Sequence, residues 1–155
     1  MKDKKRLIAR IILTVLTVTA VAAIFYNSSL DADESTEQSS SLLLAINQFF
    51  CSMGIPIELT ETVLRKMAHF AEYTVLGALL STTVYLYAQK RVKTLLIALP
   101  LGAVIATCDE LIQLIPAGRS SEVRDVLIDF CGVLLASLIV TLITYFIDRR
   151  RKVKK

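Results

Sequence analysis

The 155-residue sequence contains one histidine, no tryptophan, three cysteines and three prolines. Cys51, Cys108 and Cys131 form an odd set without metal-ligand spacing, and two of them lie in apolar runs. This argues against a disulfide framework or a thiolate zinc site. There is no Gly-x-Ser-x-Gly elbow, no His-Glu-x-x-His pair and no phosphate-cradling glycine loop, so the common hydrolase, zinc-protease and nucleotide-binding signatures are missing. Basic residues are absent between Asn27 and Ser41, where Asp31, Asp33, Glu34 and Glu37 stand among serines.

What is abundant is apolar. Hydrophobic residues make up 54% of the chain and the mean hydropathy is +0.58, which fits a small polytopic membrane protein better than a soluble domain. The formal charge of +4 is concentrated at the ends, with Lys2, Lys4, Lys5, Arg6 and Arg10 at one and Arg149 to Lys155 at the other. Basic residues flanking apolar spans set orientation in a bilayer. The expected partner is therefore the lipid bilayer, not nucleic acid.

Leu7 to Tyr26, interrupted only by Arg10, is long enough to cross about 30 Å of hydrocarbon and is the first expected span. A basic start, an apolar middle and Ala20-Val21-Ala22 also describe a signal peptide cut after Ala22, but the apolar run continues to Tyr26 and favours a retained anchor. Asn27 to Ser41 reads as a solvated, mobile outer loop, and Leu42 to Met53 as a short interfacial helix stopped by Gly54. Pro56 is expected to open the next helix at its first turn, and the second span then runs from about Val63 to Ala88. The basic stretch Gln89 to Lys93 then leads into a third span, Thr94 to Ile115, kinked at Pro100 and Gly102 and broken by Pro116-Ala117-Gly118. A loop from Arg119 to Asp125 precedes a fourth span, Val126 to Ile147.

The fold class expected is thus an all-α, multi-pass protein of the bacterial cytoplasmic membrane. It has four transmembrane helices, both termini cytoplasmic and an interfacial helix in the first outer loop. Residues 1–62 form an anchor span with its outer loop, 63–147 a core of three spans, and 148–155 a basic tail.

Polar residues recur at one level of this arrangement. Arg65, His69, Glu72 and Tyr73 share a helical face at i, i+4, i+7 and i+8, opposite Met67, Phe70 and Ala71. Asp109 and Gln113 share another, with Glu110 beside them, and Asp125, Asp129 and Gly132 a third. A carboxylate within a bilayer costs at least about 2.5 kcal/mol, so these groups must pair or face a wet cavity. Arg65, His69 and Arg119 are the expected counter-charges. One reading is a salt-bridge network that only fixes helix packing; the other, favoured by ionisable residues on three segments, is a functional site. Tyr85 and Tyr87 read as interfacial or packing aromatics, and Cys108 and Cys131 as small packing residues.

The blocks Arg65-Lys66-x-x-His69-Phe70-x-Glu72-Tyr73-x-x-Leu76-Gly77, Asp109-Glu110-x-x-Gln113, Pro116-x-Gly118-Arg119-Ser120, and Asp125 with Gly132 resemble the VanZ-like family of small bacterial membrane proteins. The resemblance covers about Val63 to Phe146, with little in Leu7 to Thr62 beyond a first span. It implies a helical membrane protein and, from the family's founding member, a role in teicoplanin resistance at the cell envelope. It supplies no agreed reaction. Asp129 departs from the pattern, standing where Asn is common, and Ala136 stands where a glycine often follows Gly132.

Three functions are then open. An enzyme acting on a lipid-linked or cell-wall-precursor substrate would use His69, Glu72, Asp109, Glu110 and Asp125 as catalytic groups. His69 would be the proton carrier, oriented by Asp109 or Glu72, with Arg65, Lys66, Tyr73, Gln113, Arg119, Ser120 and Asp129 binding. A divalent-cation version takes Asp109, Glu110, Asp125 and Asp129 as oxygen ligands with His69 nearby; the sequence assigns no cofactor. A non-catalytic binder of a headgroup or antibiotic would use the cationic rim of Arg65, Lys66, Arg119 and Arg124. A transporter or channel component would use the acids as ion sites, although no inverted repeat is visible and the oligomeric state is open.

Overall fold

Backbone groups in long apolar stretches are satisfied within helices where water is absent. In the computed structural model, which describes residues 2–30, 32–116 and 122–153, five helices account for nearly all of the described chain. They are α1 (Lys2–Ser28), α2 (Ala32–Ser52), α3 (Glu61–Ala88), α4 (Arg91–Ile112) and α5 (Val123–Val153). α1, α4 and α5 are long and apolar enough to cross a membrane. α3 is as long but more polar, since it is the helix around which α1, α4 and α5 pack, and it buries Tyr73, Ser81 and Thr83 against them. The outward side chains include Ile11, Val15, Leu96, Val104, Leu138 and Leu142. An exposed apolar circumference of this extent suits lipid rather than water, and the protein is an all-α, multi-pass membrane protein.

Contacts fix the helix directions. α1 runs antiparallel to α3, since Arg10 bonds the Leu86 carbonyl, Thr17 meets Thr83 and Asn27 meets Glu72. α5 runs parallel to α3, pairing Asp125 with Lys66 near their starts and Ser137 with Ser81 further along. α4 runs antiparallel to α5, with Arg91 against Asp148 and Glu110 against Glu122.

Small residues let these helices meet at backbone distance, as is usual where no hydrophobic force drives helix association. A Cβ at Gly132 would lie 2.7 Å from the Phe70 carbonyl oxygen, and one at Gly77 would lie 2.7 Å from Val133 Cα. Val133 also fills the space that Gly102 leaves on α4, where a Cβ would meet its side chain at 2.6 Å. α3 and α5 are thereby locked in one register, and that register decides which polar groups face each other.

Several boundaries differ from the sequence reading. Helix α2 starts at Ala32 rather than after Ser41, so most of the expected mobile loop is helical. Gly54, at φ +69°, ends α2, and Ile55 N–H reaches the Phe50 carbonyl at 3.0 Å in a Schellman-type stop. α3 begins at Glu61, not at Pro56. Asn47 of α2 holds both the N–H and the carbonyl of Leu59, at 2.8 and 3.0 Å, which keeps that residue outside the helix and leaves Thr60 to cap it. α4 continues through Pro100 and ends at Ile112 rather than Ile115, so Asp109 stands about one turn from its end. Beyond Ala22, α1 continues unbroken, and Ile24 and Ser28 are buried. Cys108 and Cys131 are exposed rather than packed between helices.

Candidate functional site

Since α3 and α5 run parallel and touch at Gly132, the residues about one turn earlier on each also face one another, and these are His69 and Asp129. α4 comes up antiparallel beside them and places Asp109 against the same imidazole. His69 Nδ1 is 3.6 Å from Asp129 Oδ1 and 3.9 Å from Asp109 Oδ2. Both carboxylates are fully buried and the histidine is 17% exposed, so it alone of the three connects to the surface.

The surroundings are drawn from four helices. Gln113 Nε2 donates to Asp109 Oδ2 at 3.5 Å, and the Ser28 hydroxyl, from the end of α1, bonds the same carboxylate. Tyr73 is completely buried beneath the cluster, beside both aspartates. Even so, both oxygens of Asp129 and Oδ1 of Asp109 have no hydrogen-bond partner among the described residues. The described lysine and arginine ion pairs lie elsewhere, Lys66 with Asp125 and Glu122, and Arg91 with Asp148. Two buried carboxyl groups sharing one imidazole, with few donors around them, cost several kcal/mol by order of magnitude in a low-dielectric setting.

The other residues singled out from the sequence take separate places. Glu110 is buried, but its Oε2 accepts the Glu122 N–H at 3.1 Å, which caps the entry into α5. Asp125 binds Lys66 in the first turn of α5. The tight group within 4.8 Å is His69, Asp109 and Asp129, with Glu110 buried beside it and Asp125 held by Lys66. Glu72 turns toward α1, where Asn27 Nδ2 donates to it at 3.2 Å. Lys66, not Arg65, is the cation that pairs with α5; Arg65 is exposed at the mouth of a crevice too narrow to hold a water molecule. Lys66, His69, Asp125, Ile128 and Asp129 complete its lining. Arg119 and Ser120 lie outside the described residues.

Ser28 and Asn27 were not singled out from the sequence. They follow directly on the first apolar run, and a polar pair at the end of such a run, at the same level as His69, is the signal that marks them.

Fold and site together define a helical membrane protein in which one histidine and two buried carboxylates are gathered from three helices. The chain matches the family described as VanZ/LLP1 over residues 13–144, and it belongs to that family. The match begins within α1, well before the part of the chain in which the resemblance was legible. No curated protein and no solved structure matches it.

Proposed function

We propose that α1, α3, α4 and α5 are four spans of a bacterial cytoplasmic membrane protein with both termini inside. Its polar site then works at the outer face on an anionic lipid-linked or cell-wall-precursor substrate, contributing to cell-envelope homeostasis or teicoplanin tolerance. The observation that carries this is the burial of Asp109 and Asp129 against a histidine that reaches the surface. Ionisable groups are kept in such places where they serve a substrate.

Orientation follows from charge. Lys4, Arg10, Lys90, Arg91 and Arg149 gather at the end of the bundle away from His69, as basic residues do on the cytoplasmic side. α2, with Leu42, Leu44, Phe49 and Met53 exposed, then lies at the outer interface. In a Cys108→Ser, Cys131→Ser background, a membrane-impermeant maleimide should label Cys51 on intact cells, and label only after lysis would reverse the topology. At the mouth, the exposed Arg65 gives an anionic headgroup a cationic approach to the buried cluster.

The functional test is teicoplanin susceptibility of a sensitive bacterium expressing wild type, His69→Ala, Asp109→Asn or Asp129→Asn, with membrane abundance measured in each strain. Wild type should protect and the three variants should not, at equal abundance. Equal protection by all four would make the cluster a packing feature.

A further inference from the structure

We infer that His69, Asp109 and Asp129 together hold one divalent transition-metal cation of the zinc or manganese class. The inference rests on the proposed reading of this cluster as the working site and gives that site its reactive group.

The spacing is the first argument. His69 Nδ1 and one oxygen of each carboxylate lie within 4.8 Å of one another. At 3.6 and 3.9 Å, the histidine is too far from either aspartate for a good direct hydrogen bond. Donors that each stand about 2.0–2.2 Å from a common ion stand roughly 3–3.6 Å from each other, and small side-chain rotations close the remaining difference.

The second argument is the orphaned atoms. Asp129 is fully buried, neither of its oxygens has a hydrogen-bond partner among the described residues, and it is aimed at the imidazole. Oδ1 of Asp109 also lacks a hydrogen-bond partner among the described residues, and the oxygen nearer the imidazole, Oδ2 at 3.9 Å, is held in place by Gln113.

Charge balance is the third. A protonated histidine offsets only one of two carboxylates, whereas a dication beside a neutral imidazole leaves the buried cluster neutral, the state a low-dielectric setting favours. One nitrogen and two carboxylates suit zinc or manganese better than calcium, whose sites are built from oxygen. Three protein ligands leave room for a water or a phosphate oxygen, the arrangement of a cation that polarises a substrate.

The test uses full-length protein purified in detergent, stripped with a chelator and titrated separately with Zn2+ and Mn2+ by calorimetry, with metal per chain measured by mass spectrometry. Wild type should take up one ion. His69→Ala, Asp109→Asn and Asp129→Asn should each weaken binding at least tenfold, and Asp148→Asn, at the other end of the bundle, should leave it unchanged. The inference is overturned if wild type takes up no more ion than an Asp109→Asn, Asp129→Asn double variant, when both elute as single species with equal helical circular dichroism. Protection from teicoplanin by a wild type that binds no ion would sink the cation and leave the envelope role standing. Stoichiometric binding without protection would support the cation and remove that role.

Discussion

The two ends of the helix bundle treat carboxylates in opposite ways. At the end away from His69, Asp148 is 37% exposed, accepts from the Tyr85 hydroxyl at 2.7 Å and receives Arg91 at 2.5 Å. Arg91 also donates to the Thr144 carbonyl and lies over the Tyr145 ring. At the His69 end, Asp109 and Asp129 are buried completely, yet most of their oxygens find no donor among the described residues. A chain selected for stability alone would put its partners where the burial is. The far end tightens the bundle, while the His69 end keeps polar groups that stability does not ask for, and the proposed working site rests on that pattern.

The comparison depends on α3 and α5 staying in register, so the largest effect should come from forcing them apart. Gly132→Leu puts a side chain into the Phe70 carbonyl and Thr74. The overpacking should cost roughly 3 kcal/mol or more, enough to lose the folded protein from the membrane fraction, as abundance and size-exclusion profile will show. A Gly132→Leu protein with the thermal stability of wild type would mean that the two helices are not held at backbone distance.

The next effects should differ in sign. In chelator-stripped protein, Asp129→Asn removes one of two buried carboxylates that share a single imidazole, one that accepts no hydrogen bond among the described residues. It should stabilise by roughly 1–3 kcal/mol, while losing protection in cells. Asp148→Asn removes a partner from Arg91 and Tyr85 and should destabilise, but by only about 1 kcal/mol because the pair is partly exposed. Thermal unfolding of the two variants in the same detergent checks both. Shifts in the same direction would erase the distinction between the ends.

The sequence carried the helices and the cluster's membership further than its geometry. Apolar runs located all four long helices, and the cost of charge within them drew attention to His69, Asp109 and Asp129. The facing partners were harder to read. The sequence put Phe70 opposite the polar face of α3, but Gly132 lets α5 settle directly on the Phe70 carbonyl, so the contact face passes through Lys66, Phe70, Thr74 and Gly77. That turn of one residue gives Asp125 to Lys66 rather than Arg65. A glycine's lack of a side chain allows the approach, but periodicity does not say which neighbour makes it. The start of α3 was misplaced for a related reason: the Asn47 clamp on Leu59 is a contact between two segments, and Pro56 alone carries no trace of it.

Between the two ends lies a smaller interaction that calibrates both. Ser81 on α3 donates to Ser137 on α5 at 2.8 Å, and both are fully buried. This is a neutral bond in the middle of the bundle, with no charge to neutralise and no water to replace it. Such a bond looks strong, yet hydrogen bonds between membrane helices average only about 0.6 kcal/mol, because the separated helices find other partners for the same groups. A Ser81→Ala, Ser137→Ala double-mutant cycle should therefore return a coupling near that value, with protection in cells unchanged. A coupling of several kcal/mol would show that buried polar contacts in this bundle are far stronger than the average. The unpartnered oxygens of Asp109 and Asp129 would then stand out even more sharply against the rest of the interior. A coupling near zero would leave small-residue packing at Gly77, Gly102 and Gly132 as what joins α3, α4 and α5 in mid-bundle.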